Sequence, residues 1–227
     1  MKIEEPKAVK PRGRPLSFDR DKALEQAMHV FWQRGYEAAS VAELTAAMGI
    51  TAPSLYTAFG DKERLFFAAI ERYANGPGAG FPLALEEEPT AFDAIRRLML
   101  ELAEEQTCND HPRGCMIAMA ATNCSQASAH IQAALSKRRE ASVNGIRCRI
   151  ECDIQREQLP AGTDAAALAG FYATVMRGMS MQAADGASRE ALVQVAESAM
   201  RAWPGKPPKP AAKAATQPAS KAAKTSK

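Results

Sequence analysis

Apolar residues recur every three or four positions through most of residues 19–203, and no stretch alternates between apolar and polar as a half-buried strand would. This spacing predicts an all-α protein. A first helix is expected to begin after Ser17 and to run to about Arg34, where Gly35 stops it. Its apolar stripe comprises Ala23, Leu24, Ala27, Met28 and Phe31.

Two short helices follow, joined by a glycine turn. Ser40 lies at a cap position with Glu43 three residues later, the pattern in which each side chain satisfies a free backbone amide of the other residue. Gly49 ends this helix. Thr51 is a second cap residue, and it predicts a helix over 52–59 that is barely two turns long.

The remaining pattern predicts longer elements. A helix is expected from residue 62 to about Tyr73, and the sequence NGPGAG predicts a loop over 75–89. The segment 114–121 is apolar all round and is therefore expected to be buried. Further helices are predicted over 92–107, 128–158, 168–179 and 192–203.

The formal net charge of +3 names no partner, but its distribution is informative. Residues 1–16 carry five basic and two acidic side chains and residues 204–227 carry six lysines and no acid, so the ends together carry +9 and residues 17–203 carry −6. Basic ends of this kind bind nucleic acid if they reach phosphates. The tail has no residue more apolar than alanine or proline and is predicted to be disordered, either as a phosphate-seeking arm or as a solubilising extension.

Nothing in the sequence indicates a membrane or an export route. No apolar run approaches the roughly 18 residues of a membrane span, and the first residues, MKIEEPKAVKPRGRP, lack the apolar core of a secretion signal. The five cysteines are an odd number clustered between 108 and 152, which argues against a disulfide scaffold. We therefore expect a soluble, cytoplasmic protein.

Residues 40–59 have the arrangement of a helix-turn-helix, in which one helix braces a second that enters the major groove of DNA. The turn MGIT is the most informative part. Gly49 lets the chain reverse, Ile50 fills the space between the helices, and Thr51 caps a helix whose first residues face outward. Any helical hairpin can share these features, so the turn alone does not establish DNA binding.

Four stretches of the chain match one family pattern: RGRP at 12–15, ALEQAMHVFWQRGYEAASVAEL at 23–44, MGITAPSLYTAFGDKERLF at 48–66 and IERY at 70–73. Together they resemble the TetR/AcrR family of transcriptional regulators. A weaker similarity, in HPRGCMI at 111–117 and in residues 186–204, resembles the regulatory half of the subgroup that contains a copper-responsive repressor.

This resemblance implies a TetR-like homodimer that binds a double-stranded DNA operator and is commonly released by a small-molecule, thiol-reactive or metal effector. The last two helices, about 163–184 and 188–203, would join the subunits. No cofactor is implied. On this basis we expect a basic arm at 1–16, a three-helix DNA-binding domain at 17–62, a helical effector-binding and dimerisation domain at 63–203, and the tail at 204–227.

The resemblance also assigns DNA contacts residue by residue. Ser40, Tyr56 and Lys62 match phosphate-contacting positions, which fix register rather than sequence. Arg12 and Arg14 would lie in the adjacent minor groove. The face that would meet base edges has no Arg, Asn or Gln for a bidentate contact; it comprises Thr51, Ala52, Pro53, Ser54 and Thr57.

Each of these residues also has an ordinary structural interpretation. A tyrosine near a helix end, such as Tyr56, is usually a half-buried residue at the rim of a core, and Lys62 between two acids is usually a solvated charge. The nearby aromatic residues are assigned to the core rather than to base stacking; they are Phe31, Trp32, Tyr36 and Phe59.

The effector pocket is inferred from the fold that the resemblance implies, and it suits an apolar or electrophilic molecule. Cys115, which follows Gly114 at an expected helix start, is the candidate reactive thiol. Cys108, His111 and Cys115, or Cys148 and Cys152, could converge on a soft metal, but their spacing matches no established zinc motif and no metal site is predicted. The predicted lining comprises Cys115, Met116, Met119, Phe171, Tyr172 and Met176.

An enzymatic function is the main competing class, and the sequence lacks its common motifs. It contains no GxxxxGK(S/T), GxGxxG, HExxH or GxSxG, and only three histidines. Two non-enzymatic classes stay open: a helical ligand-binding or redox protein that does not bind DNA, and a nonspecific DNA-binding protein driven by the basic ends. Preference for one operator at physiological salt separates a regulator from a nonspecific DNA-binding protein.

Overall fold

A computed structural model describes residues 18–205. Within this range the chain forms ten α-helices, a short 3-10 turn and no strand, which confirms the predicted all-α class. None of the described helices is long and apolar enough to cross a membrane. Arg12, Arg14 and the tail beyond residue 205 lie outside the described residues. The helices are α1 (Arg20–Ala38), α2 (Val41–Met48), α3 (Ala52–Phe59), α4 (Lys62–Ala74), α5 (Gly80–Glu87), α6 (Ala91–Glu105), α7 (Met116–Met119), α8 (Ala129–Gln155), α9 (Ala165–Ala184) and α10 (Arg189–Met200).

α1 differs from its prediction at both ends. Asp19 caps it, and the helix continues past Gly35 to Ala38 with a kink at Gly35, whose φ is 75°. The amide of Tyr36 leaves the helical ladder at this kink and donates to the carbonyl of Ala120 at 2.7 Å. A Cβ at residue 35 would lie 3.0 Å from that carbonyl oxygen, so the backbone angle and the close approach both require glycine.

The two short helices begin and end where their cap residues predict. The Ser40 hydroxyl accepts from the amide of Glu43 while the Glu43 carboxylate accepts from the amide of Ser40, which completes the capping box. Gly49 ends α2 in the left-handed region, with a φ of 66°. Thr51 caps α3 by accepting from the amide of Ser54. Local sequence therefore sets the geometry of the helix-turn-helix.

The loop predicted over 75–89 is wrong for residues 80–87, which form α5. Ala84 is fully buried, and Phe81 and Leu85 pack against the core formed with α6. Helices in proteins are stabilised mainly by packing of an apolar face, so tertiary contacts form this helix despite the glycines that precede it.

The segment 114–121 is a single helical turn rather than a longer helix. α7 has four residues, and Gly114 before it has a φ of 82°. The predicted burial holds for Met116, Ala120 and Ala121, whereas Ile117 is partly exposed. The remaining predicted helices are present as α6, α8, α9 and α10, with shifted ends.

Two hydrophobic cores divide the described part of the chain. The first joins α1, α2, α3 and α4 with α7 and the start of α8, and the second joins α5, α6, α9 and α10 with the rest of α8. Phe31, Trp32 and Phe59 are buried in the first core, as predicted, and Tyr36 packs at its edge. α4 contributes its buried face to the first core, although the predicted domain boundary falls at its first residue.

Asp153 fixes α6 against α8. Its buried carboxylate accepts from the amide of Ala91 at 2.6 Å and from the guanidinium of Arg149 at 2.5 Å. Arg149 also donates to the carbonyl of Glu88 at 3.1 Å. A buried carboxylate is tolerated only when it is paired and hydrogen-bonded in this way. The pair positions two helices that form walls of an internal cavity.

Candidate nucleic-acid interface

α3 presents one face to the core and the other to solvent. Leu55 and Phe59 are buried against α1 and α4, whereas the side chain of Tyr56 is 51% exposed. A large aromatic residue that is so exposed beside a well-packed core is unusual for a purely structural position. The predicted base-reading residues lie on the same outer side: Thr51, Pro53 and Thr57 are exposed, and Ala52 and Ser54 are half-exposed.

The hydroxyl groups on this face are partly engaged within the helix. The hydroxyls of Thr51 and Ser54 lie 2.9 Å apart, and the hydroxyl of Thr57 donates to the carbonyl of Pro53 at 2.8 Å. Thr57 therefore offers a lone pair and a methyl group outward rather than a proton. Direct base readout through this face rests on Ser54, on Thr51 and on apolar contact with thymine methyl groups.

Ser40 is exposed at the start of α2, as a phosphate contact requires. Its amide and its hydroxyl both donate to the carboxylate of Glu43, each at 3.0 Å. These hydrogen bonds, led by the one from the Ser40 amide, hold the pKa of Glu43 below its ordinary value. A phosphate bound at Ser40 must replace this carboxylate as the acceptor.

Lys62 is held in place rather than freely solvated. Its ammonium lies 4.5 Å from the centre of the Tyr36 ring and donates to the carbonyl of Glu37 at 3.4 Å. Partial burial lowers the pKa of Lys62, and the carboxylate of Glu37 opposes that shift. Both anchors lie at the end of α1, so the position of Lys62 depends on how α1 ends.

Arg20 is a cation beside α3 that the sequence analysis missed. Its guanidinium lies 4.6 Å from the centre of the Phe59 ring, at the last residue of α3, and the side chain is exposed. The local run Arg20–Asp21–Lys22 carried a signal of basic charge. The sequence pattern did not show that the start of α1 lies against α3, because the two are far apart along the chain.

A cavity of about 190 Å³ lies between α6, α8 and α9, with α7 at one side. Cys115 and Met176 line it, as the sequence analysis predicted. The walls are mainly apolar and include side chains of α6 and α8 such as Leu98, Leu102 and Val143. Such concave, largely apolar sites with a few polar groups bind small molecules.

The structure does not place the remaining four predicted residues on the wall of this cavity. Met116 is buried in the first core, and Met119 lies beside it on α7 away from the wall. Tyr172 is buried in the second core, where its hydroxyl donates to the carbonyl of Ala199 at 3.2 Å. Phe171 is 43% exposed on the outer side of α9. The periodicity placed both residues in one stripe, but successive helix positions point in different directions.

The cysteines do not form one cluster. The sulfur of Cys108 lies 3.2 Å from Nε2 of His111, which also lies 2.9 Å from the Glu105 carboxylate. Cys115 instead accepts from the hydroxyl of Tyr73 at 3.4 Å. Over residues 18–205, no group of three His, Cys, Asp or Glu side chains has an arrangement that could hold a metal ion. The expected start of a long helix at Cys115 is a single turn, which offers little helix dipole to a thiolate.

An outward-facing second helix, braced by a first helix and joined to a cavity-bearing helical bundle, defines a helix-turn-helix DNA-binding regulator. The family model "Bacterial regulatory proteins, tetR family" matches residues 23–69. The HTH-type transcriptional repressor ComR of Escherichia coli (strain K12) is 38% identical over 199 residues, which are 86% of this chain and 93% of ComR. The chain belongs to the TetR family.

A solved structure supports the same assignment. A cysteine mutant of the TetR family transcriptional regulator CifR, complexed with 26-bp double-strand operator DNA, is 45% identical with a TM-score of 0.81, over 85% of this chain and 100% of that one. The HTH-type transcriptional repressor BdcR of Escherichia coli (strain K12) is 29% identical over 82% of this chain and 90% of BdcR.

These similarities confirm the predicted class, a DNA-binding transcriptional regulator that is not an enzyme. The resemblance to a copper-responsive subgroup and the cytoplasmic location stay predictions.

Proposed function

We propose that a homodimer of this protein represses transcription by binding a near-palindromic operator through α3, and that it leaves the operator when a small molecule enters the cavity. The observation that carries the proposal is the exposed outer face of α3, on which Tyr56 lies above a fully buried Leu55. The operator-bound CifR relative supports the DNA partner. Two copies would place their α3 helices in successive major grooves, about 34–36 Å apart.

The proposed contacts divide into two kinds. Ser40, Tyr56, Lys62 and, in addition, Arg20 bind phosphates and fix the register of the dimer on the duplex. The face of α3 reads base edges with small groups: Thr51, Ala52, Pro53, Ser54 and Thr57. Because these groups make few hydrogen bonds to bases, we expect the two arginines of the basic arm, Arg12 and Arg14, to add affinity for narrow A·T-rich minor grooves.

Replacing Ser54 with alanine is expected to change base preference rather than overall affinity. The variant loses the exposed hydroxyl that lies against Thr51, and one lost base contact lowers affinity for the preferred base pair by about tenfold. Binding to all single-base variants of the operator, measured by fluorescence anisotropy beside random DNA, checks this. Equal losses on operator and random DNA would remove Ser54 from the groove-facing set.

We propose that α9 and α10 pair across a two-fold axis. The outer side of α9 carries Phe171 and Met181, which are 43% and 51% exposed. Gly178 lies between them on the same exposed side of α9. Phe171 and Val175 of α9 also line a shallow groove with residues of α10, including Val195. An exposed apolar stripe of this length on two neighbouring helices fits the four-helix pairing typical of the family.

Truncating Met181 to alanine should weaken the dimer. Each protomer loses one apolar side chain from the proposed interface, and two losses of about 1 kcal/mol each raise the dimer dissociation constant roughly 30-fold. Sedimentation equilibrium over a range of concentrations measures this constant. Leu83 is 45% exposed on α5, away from this face, and its alanine variant serves as the control with an unchanged constant.

The turn around α7 connects the cavity to the DNA-binding helices. Cys115, Ile117 and Ala118 line the cavity. From the same turn, the carbonyl of Gly114 accepts from the indole of Trp32 at 3.1 Å, and the carbonyl of Ala120 accepts from the amide of Tyr36. Lys62 lies on the Tyr36 ring. A ligand that displaces this turn therefore changes the end of α1 and the position of a phosphate-binding cation, which is the differential contact that coupling requires.

Selection of bound fragments from the native genome by the full-length protein tests the proposal as a whole. We expect one near-palindromic motif, bound far more tightly than random DNA at physiological salt and at a stoichiometry of one dimer. Uniform enrichment of all fragments, lost together as salt rises, would instead indicate a nonspecific DNA-binding protein. Release of the selected fragment by small molecules then tests the regulatory step.

A further inference from the structure

The cavity carries charged side chains of both signs, and the acidic ones are already engaged. Glu101 accepts from the Nε of Arg97 at 2.7 Å, and Glu105 contacts His111 at 2.9 Å. Both glutamates lie on α6. Because each carboxylate has a cationic or hydrogen-bonding neighbour, neither requires a cationic ligand for compensation.

The basic side chains on the opposite wall are not neutralised in this way. Arg139 of α8 is half-buried and its Nη1 donates to the carbonyl of Ile117 at 3.0 Å. Arg177 of α9 lines the same cavity. Within residues 18–205, neither guanidinium has a carboxylate within ion-pair distance. Burial lowers the pKa of Arg139, and the positive charge of Arg177 lowers it further. Two close cations on a dehydrated wall favour an anion between them.

A buried amide is the second polar feature of the cavity. The side chain of Gln106, at the end of α6, is 6% exposed and lines the wall. Its Oε1 has no hydrogen-bond partner among the described residues. Buried amide groups without a partner are uncommon and costly. A hydroxyl group in the cavity satisfies this amide in either orientation, since a hydroxyl both donates and accepts.

We propose that the cavity binds a small amphipathic carboxylate, whose carboxylate group lies between Arg139 and Arg177 and whose apolar body lies along Leu98, Leu102 and Val143. The inference rests on the proposed function, in which this cavity receives the effector. A cavity of 150 Å³ holds benzene, so the 190 Å³ present here accepts about ten non-hydrogen atoms. A hydroxyl on the apolar body hydrogen-bonds Gln106. The carboxylate also competes with the Ile117 carbonyl for Arg139, which places ligand binding directly on the α7 turn.

Isothermal titration calorimetry of the full-length protein without DNA tests the ligand class. Octanoate is the probe, and octan-1-ol, octylamine and octyl sulfate are matched in chain length and differ in head group. We expect octanoate to bind at one site per protomer and at least about tenfold more tightly than octan-1-ol, the size of one charge-assisted contact. Equal affinity for octan-1-ol, or tighter binding of octylamine or octyl sulfate, would overturn the carboxylate assignment.

Three variants locate the binding site. Arg177→Gln, at an exposed position that leaves the cores intact, and Arg139→Gln should each reduce octanoate affinity about tenfold or more, whereas Arg156→Gln, with the same change of charge at the exposed end of α8, should not. Equal losses in all three variants would show attraction by net charge alone and would overturn the site. Gln106→Leu should retain octanoate affinity and lose the preference for 8-hydroxyoctanoate over octanoate that the wild type shows.

Operator release, measured separately by anisotropy, distinguishes this inference from the proposed function. Binding of octanoate that is lost in Arg177→Gln supports the carboxylate site, and if that binding leaves operator affinity unchanged, the regulatory role of the cavity fails instead. Release of the operator by octan-1-ol with no binding of octanoate would leave the regulatory role standing and would overturn the carboxylate site.

Discussion

Replacing Lys62 with methionine is expected to lower operator affinity about 100-fold. The variant removes one ammonium per protomer, and two charge-assisted phosphate contacts at about 1.5 kcal/mol each amount to roughly 3 kcal/mol. The effect should be of similar size on random DNA, because phosphate contacts carry no sequence information. The slope of log affinity against log salt should fall in magnitude by about 2, one phosphate for each protomer.

Lys137, an exposed lysine on α8 away from α3, provides the charge-matched control for this prediction. Lys137→Met should bind the operator as the wild type does, with the same salt slope. Since Lys62 also contacts Tyr36 and Glu37, thermal unfolding of both variants is measured alongside. A normal salt slope in Lys62→Met would show that Lys62 positions the end of α1 and does not contact phosphate.

Replacing Phe31 with alanine is expected to lower the free energy of unfolding by about 4 kcal/mol, the middle of the range for a fully buried phenylalanine. Phe31 has no exposed surface, and its ring lies edge-on to that of Phe66 with the centroids 5.1 Å apart. The cavity left at the centre of the first core cannot close, because α1 and α4 are both long helices packed along their length.

Urea unfolding of Phe31→Ala and wild type at one fixed protein concentration measures this loss, since the stability of a dimer depends on concentration. Leu83→Ala serves as the comparison at an exposed apolar residue, where about 0.5 kcal/mol or less is expected. A loss below about 1 kcal/mol for Phe31→Ala, the size of an ordinary substitution, would mean that the first core contributes little to the cooperative unfolding of the chain.

The helix-turn-helix was predictable because its boundaries are set by neighbours in sequence. Ser40, Gly49 and Thr51 cap or end the helices through groups only a few residues away. The kink at Gly35 and helix α5 were not predictable, because their causes are distant. Gly35 is required by the approach of Ala120, and α5 forms because Ala84 is buried against α6.

The cavity was only partly predictable for a related reason. Hydrophobic periodicity marks which positions of α9 are apolar, but α9 has apolar residues on both its core side and its outer side. Met176 lines the cavity and Phe171 faces away from it. The charged residues Arg139 and Arg177 interrupt the apolar pattern and so gave no signal of a ligand site, although they are the cavity residues with the most specific chemistry.

The first core crosses the boundary that the family pattern draws between reading and sensing parts. Met116, Ile131 and Leu135 cover apolar surface of α1 and α4, and the turn at α7 supplies the acceptors for Trp32 and Tyr36. A fragment cut after α4 would leave that surface wet and those two donors unsatisfied. The DNA-reading half is therefore not a transferable module, and a chimera that grafts it onto another sensor must also carry α7 and the first turns of α8.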